Sequence, residues 1–304
     1  MVMVQNEEKI EFRKVRDFSE TINDCFTFIK QNFKPLFRPL LYICGFFLIA
    51  SMATSVLQQL KTVKLVGLAR ATQSVKDYSS DITGSVLGIE YFLVLFFTVL
   101  SVSAVYLVTY CYIRLYREQR NNAPSLEQVW ELFKRHILEF FIASVLLSIF
   151  VGIATIFCII PGVYLFPIVT LTLPVMVLER KGILDAFSRS SYLIKNNWWK
   201  TFGLILVAFL ITSCSMGVLG IPSVLLSLGA VFLQDSPKLT LAGSIISAIL
   251  TGFSQIFYVL PAIVSTLWYF SLNEEKDGSG LLERIETFGS GENQSPDEWP
   301  KEEY

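Results

Sequence analysis

The sequence predicts an all-α protein, a polytopic membrane helical bundle of about six spans in three pseudo-repeats. Three observations carry that prediction. Of the 304 residues, 53% are hydrophobic, 14% aromatic and only 17% charged, with mean hydropathy +0.53. A soluble domain has about 25% charged residues. Six runs approach the ~20 apolar residues that cross a bilayer. Finally, three segments align on a lysine, each leading directly into such a run. They are FIKQNFKPLF (28–37), LFKRHILEFF (132–141) and LIKNNWWKTF (193–202), with Lys30, Lys134 and Lys195 in register.

The elements follow in order. The first 35 or so residues contain no apolar run, so no cleaved signal peptide is expected and the first span would serve as the targeting signal. An interfacial helix is predicted near 19–34, from the stripe Ile22, Cys25, Phe26, Ile29 and Phe33 at helical spacing. A span at 36–57, an outer loop at 58–83 and a span at 86–112 come next. A second interfacial helix near 125–138 carries Leu126, Val129, Trp130, Phe133 and Ile137, with Ser125 and Gln128 spaced as a capping box. Spans at 140–160 and 163–178 are joined by Pro161-Gly162, read as a tight outer turn. Pro167 and Pro174 should kink the second of these.

The third interfacial helix, near 182–197, shows Ile183, Ala186, Phe187, Ser190 and Ile194. All three apolar faces are expected to lie on the acyl boundary. Trp198 and Trp199 belong at headgroup depth, and Lys200 can snorkel beside them. A span at 202–219 follows, then a loop at 220–241 whose apolar piece 224–232 reads as a half-helix or re-entrant segment. The last span is 242–272. Its small residues Ser244, Ala248 and Gly252 suit either packing inside the bundle or a homodimer seam. Beyond it come a short amphipathic piece at 281–288 and a disordered acidic tail at 289–304. The transmembrane domain is therefore 1–288. Lys134 to Pro161 and Lys195 to Pro222 are both 27 positions, which supports the repeat.

Six spans place both termini on one side. That side receives twenty Lys and Arg residues and the other five, so the positive-inside rule puts both termini in the cytoplasm.

The chemistry is sparse. Net charge is −1, which gives no basic character for nucleic acid. Cys25, Cys44, Cys111, Cys158 and Cys214 are scattered and read as small buried hydrophobes. His136 is the single histidine, beside Arg135 on an interfacial helix, and Glu139 lacks a second histidine for a metal pair. No phosphate-binding glycine loop is present. Spans three to six hold no ionisable residue at membrane depth, which counts against an ion-coupled pump; Glu90 and Glu139 read as interfacial. The expectation is a non-enzymatic protein with no cofactor and no metal. Candidate lipid-headgroup residues are Lys30, Lys134, Arg135, Arg189, Lys195, Trp198 and Trp199. Candidate helix breaks are Pro161, Pro167, Pro174, Pro222 and Pro261, and such breaks can mark a transport site. Expected partners are membrane lipids and a membrane protein or a second copy. The alternative to a lipid-interacting or scaffolding module is a carrier or channel for an apolar or amphipathic solute.

The run 161–203 carries Pro161-Gly162, Leu173-Pro174, Glu179, Asp185-Ala186-Phe187, Arg189-Ser190, Leu193 and Trp198-Trp199. It resembles the membrane domain found ahead of some bacterial glycerophosphodiester phosphodiesterases and in related polytopic proteins. The closing YFSLNEEKDGSGLLERIETFG (269–289) is similar to stand-alone members in Bacteroidetes-type bacteria. The resemblance implies a bacterial inner membrane. In the fused enzymes a separate soluble domain holds a metal on carboxylates and histidines. That set is missing here, so the resemblance does not carry phosphodiesterase activity to this chain.

Overall fold

A computed structural model of the chain describes residues 10–12, 14–72, 88–120, 122–232 and 237–278, and among these it contains helices and no strand. The helices are α1 (Phe18–Thr72), α2 (Ile89–Glu118), α3 (Leu126–Phe157), α4 (Ile159–Glu179), α5 (Ile183–Ile194), α6 (Trp198–Phe232), α7 (Pro237–Ser254) and α8 (Val259–Asp277), with a 3-10 turn at Gln255–Tyr258 between the last two. Six stretches are long and apolar enough to cross a membrane. The chain is an integral, multi-pass membrane protein with an all-α bundle.

In lipid, apolar burial gives helices no reason to associate, so close packing and interhelical hydrogen bonds must hold them. The centre is aromatic. Phe12, Phe28, Tyr116 and Phe270 meet edge to face at 5.3–6.2 Å. The Tyr112 hydroxyl donates to Asn32 Oδ1 at 3.2 Å, tying α1 to α2. Tyr110 and Ser265 share a hydrogen bond at 3.3 Å between α2 and α8. Trp268 Nε1 donates to Thr201 Oγ1 at 2.8 Å, joining α8 to α6.

The first two interfacial segments are not separate helices. Residues 19–34 open α1, and 125–138 open α3, each running unbroken into the following span. The α1 arm is nevertheless bent. Cys25 Sγ lies 3.9 Å from the Leu260 carbonyl, and Gln255 donates to Ser51 Oγ at 2.8 Å. Straight helix would separate Cys25 from Ser51 by about 39 Å, yet their partners are five residues apart. Pro35 and Pro39, midway along, each remove a helical hydrogen bond and supply the bend. The buried face of the arm is Thr21, Cys25, Phe28 and Asn32, while Phe26 and Phe33 of the expected stripe face outward. The other two arms also press their apolar faces on protein: Val129 and Phe133 of α3, and Ala186, Ser190 and Ile194 of α5, are buried. The capping box at Ser125 and Gln128 is formed, with hydrogen bonds of 2.9 and 3.3 Å.

The turn between α3 and α4 is Cys158, in extended backbone, and not Pro161-Gly162. Pro161 has no N–H for the Phe157 carbonyl, and α3 ends on Phe157. Pro161 then sits in the first turn of α4, where a missing donor is harmless. Gly162 serves close approach: a Cβ there would stand 2.9 Å from the Thr155 Cα of α3. Pro261 likewise opens α8, immediately after the 3-10 turn that divides the expected 242–272 span. Pro167 and Pro174 lie buried inside a continuous α4. Pro222 lies inside α6, so 224–232 is the continuation of that helix and not a separate piece. Pro161 and Pro222 are therefore not equivalent in structure, despite their matched spacing. The expected loop 58–83 is helical as far as Thr72. Gly252 packs against Met52 of α1 and Ala248 is buried, so these two residues of the small-residue strip serve packing inside the bundle. The pieces expected at 281–288 and 289–304 lie outside the described residues.

Helix α4 touches both α6 and α8. Near its start, the Tyr164 carbonyl accepts from Trp198 Nε1 at 3.1 Å, and Phe166 packs on Phe209 at 5.6 Å, both on α6. At its end, Glu179 meets Tyr269 of α8. The Thr201–Trp268 hydrogen bond sets the start of α6 level with the end of α8. The start of α4 thus packs along the first three turns of α6, while its end meets α8. Its hairpin tip with α3 exposes Ile156, Phe157, Ile159 and Ile160 by 70–87%.

Candidate functional site: a charged cap beside a basic, aromatic edge

Residues at the ends of α2, α4 and α8, together with α5, form a charged cap. Its centre is Glu179. Oε1 accepts from the Tyr269 hydroxyl at 2.7 Å and from Arg189 Nε at 3.3 Å, and Oε2 pairs with Lys181 at 2.6 Å. Arg189 also donates to Asn273 at 2.8 Å and pairs with Asp277. Burial works to lower the Arg189 pKa, but the Asp277 hydrogen bond and the Glu179 charge outweigh it and hold the guanidinium above its ordinary value. Arg189 was a headgroup candidate from sequence. The fold places it inside this cap, fastening α5 to α4 and α8.

Two more arginines act as internal ties. Arg16 is buried, pairs with Asp24 at 2.8 Å and accepts on its carbonyl from Ser271, whose Oγ in turn accepts from the Arg16 N–H at 2.8 Å. Arg114 is buried too, donating to the Val177 carbonyl at 2.8 Å and pairing with Glu118 at 3.1 Å. Sequence reasoning counted both only as orientation charges. Their signal was weak: each is one of several basic residues in a short stretch, and only the topology brings Arg114 to the Val177 carbonyl and Arg16 to Ser271.

The other candidates separate by environment. Lys30, Lys134, Arg135 and Lys195 are exposed. Arg135 pairs with Glu131 at 3.1 Å, an exposed i,i+4 pair. Lys134 lies 5.5 Å from the Trp130 ring. Lys30 shares the outward face of the bent α1 arm with Phe26 and Phe33. The tryptophan pair divides. Trp198 is packed, stacked on Tyr164 at 5.6 Å and on Phe202 at 5.2 Å. Trp199 is 78% exposed. A groove of about 760 Å³ opens here, lined by residues from the start of α4 and from the α5–α6 turn, Lys195 and both tryptophans among them.

Several residues of the run 161–203 meet around α5. Gly162 allows the α3–α4 approach, Glu179 and Arg189 pair, Ala186, Ser190 and Leu193 are buried under α5, and Trp198 seats α6 on α4. His136 and Glu139 line a small cleft of about 90 Å³ with Arg180 and Lys181. Among the described residues, no group of three or more His, Cys, Asp or Glu side chains is placed to hold a metal. Compared with protein-family models, with curated proteins and with solved structures, the chain has no match.

Proposed function

We propose that this chain is a non-enzymatic, lipid-interacting or scaffolding module of a bacterial inner membrane, with both termini cytoplasmic and kin to the membrane domain of the phosphodiesterases named above. One observation carries the reading. The arginines of the charged cap are bonded to carboxylates and carbonyls, while Lys30, Lys134 and Lys195 stay exposed and form no ion pair among the described residues. Charges that the fold does not use are available to anionic lipid, each contributing about 1 kcal/mol near such a surface. Exposed Trp199, Phe26 and Phe33 give these lysines apolar and aromatic neighbours suited to headgroup depth.

The test is native mass spectrometry of the protein gently extracted from its membrane, beside a Lys30→Glu/Lys134→Glu/Lys195→Glu variant. The wild type is expected to retain phospholipid or a partner protein, and the variant to lose it. A variant that keeps all its lipid and partners overturns the reading. The carrier alternative draws support from Pro167 and Pro174, which leave the Val163 and Thr170 carbonyls of α4 without helical donors. Flux of a lipid or amphiphile in proteoliposomes would establish it.

A further inference from the structure

Resting on that reading and deepening it, we infer that the groove between the start of α4 and the α5–α6 turn binds one phospholipid with an anionic headgroup. The groove, about 760 Å³, falls within the roughly 300–1,000 Å³ of ligand pockets. Its chemistry is two-ended. One wall is Ile159, Ile160 and Val163, all exposed and apolar. The other end presents Lys195, Asn196 and Lys200. These three are exposed and make no hydrogen bond or ion pair with any described residue. An acyl chain suits the first wall and an anionic phosphodiester the second.

Charge selects the headgroup. Two ammonium groups line the groove and no carboxylate does. Glu275, which approaches from α8, is engaged by the Asn197 amide at 2.8 Å. The first helical residues of α6 also line the groove. Their N–H groups have no acceptor within the helix and favour an anion. The site is pre-shaped, because Trp198 is locked between Tyr164 and Phe202 and bonded to the Tyr164 carbonyl. Trp199, beside it, is free to lie against a headgroup. A zwitterionic lipid would bring its own cation to two lysines and is disfavoured.

The experiment is native mass spectrometry of the full chain in detergent, titrated with phosphatidylglycerol, with phosphatidylcholine of the same chains, and with inorganic phosphate as competitor. The wild type is expected to hold one phosphatidylglycerol in preference to phosphatidylcholine and to resist displacement by phosphate. Lys195→Gln/Lys200→Gln should bind it about thirtyfold more weakly, the loss of two basic contacts. Lys34→Gln/Arg38→Gln, two exposed positions on α1, should keep the tight adduct. These positions are exposed, and circular dichroism is the check that each variant folds. Unchanged binding by Lys195→Gln/Lys200→Gln overturns the site. Equal loss in both double variants also overturns it, but leaves the general lipid reading standing. Full displacement by phosphate replaces the lipid with a free anion and overturns it too. Retention of no phospholipid by the wild type removes both the site and the lipid reading.

Discussion

Glu179 is the most informative residue to perturb. Its side chain is 17% exposed and that of Arg189 20%, so neither charge is fully screened by solvent. Glu179→Gln keeps the shape and removes the charge. The Tyr269 hydrogen bond then falls from a charged to a neutral acceptor, a loss of about 1 kcal/mol. The Arg189 pair lies between exposed pairs at about 0.5 kcal/mol and fully buried ones at about 3–5 kcal/mol, and partial burial with other acceptors retained leaves about 1 kcal/mol. Lys181 is 40% exposed, and solvent screening reduces its share to a few tenths. The expected destabilisation is about 2 kcal/mol. The assay is unfolding in mixed detergent micelles, followed by tryptophan fluorescence, for Glu179→Gln, Arg189→Met and the double variant. The double variant should cost about 1 kcal/mol less than the two singles together. A Glu179→Gln effect under about 0.5 kcal/mol, or strictly additive effects, would refute the view of this cap as a coupled clamp.

Other outcomes follow from particular contacts. Gly162→Val forces a Cβ against the Thr155 backbone and should destabilise the α3–α4 hairpin by about 1–3 kcal/mol; a neutral result in the same unfolding assay would contradict the close approach. Ser190 is fully buried and its hydroxyl has no partner among the described residues, so Ser190→Ala should be neutral or stabilise by up to about 1 kcal/mol, and a clear loss of stability would reveal a partner. Spin labels at exposed positions 23 and 53 should report a separation well below the ~45 Å of straight helix, whereas a value near that length would disprove the bend at Pro35 and Pro39. Cys158 is exposed between the exposed apolar Phe157 and Ile159, a tip suited to lipid, so a membrane-impermeant maleimide should leave Cys158 unlabelled from either face; rapid labelling would place the tip in water.

Much of the bundle was legible because lipid imposes a one-dimensional rule. A stretch that crosses hydrocarbon must be apolar over a set length and must satisfy its own backbone. Six such stretches, the capping box at Ser125 and the amphipathic α5 could therefore be read residue by residue. The candidate site was legible only in part. Lysines next to an apolar run suggest an interface in sequence, and in the structure Lys30, Lys134 and Lys195 are exposed. Arg189 looks the same in sequence, because nothing local reveals that Asn273 and Asp277 return to meet it from 84 and 88 residues away.

The sequence by itself determined that this protein is helical, apolar and built to cross a membrane, since those follow from composition and periodicity. Tertiary structure decided the rest. It turned three expected elbows into one bent helix, one unbroken helix and one separate α5. It moved the hairpin turn from Pro161-Gly162 to Cys158, and divided the Trp198-Trp199 pair into a packed ring and an exposed one. Each of these depends on which distant side chain fills a given space or accepts a given proton, and such pairings exist only once the helices have met.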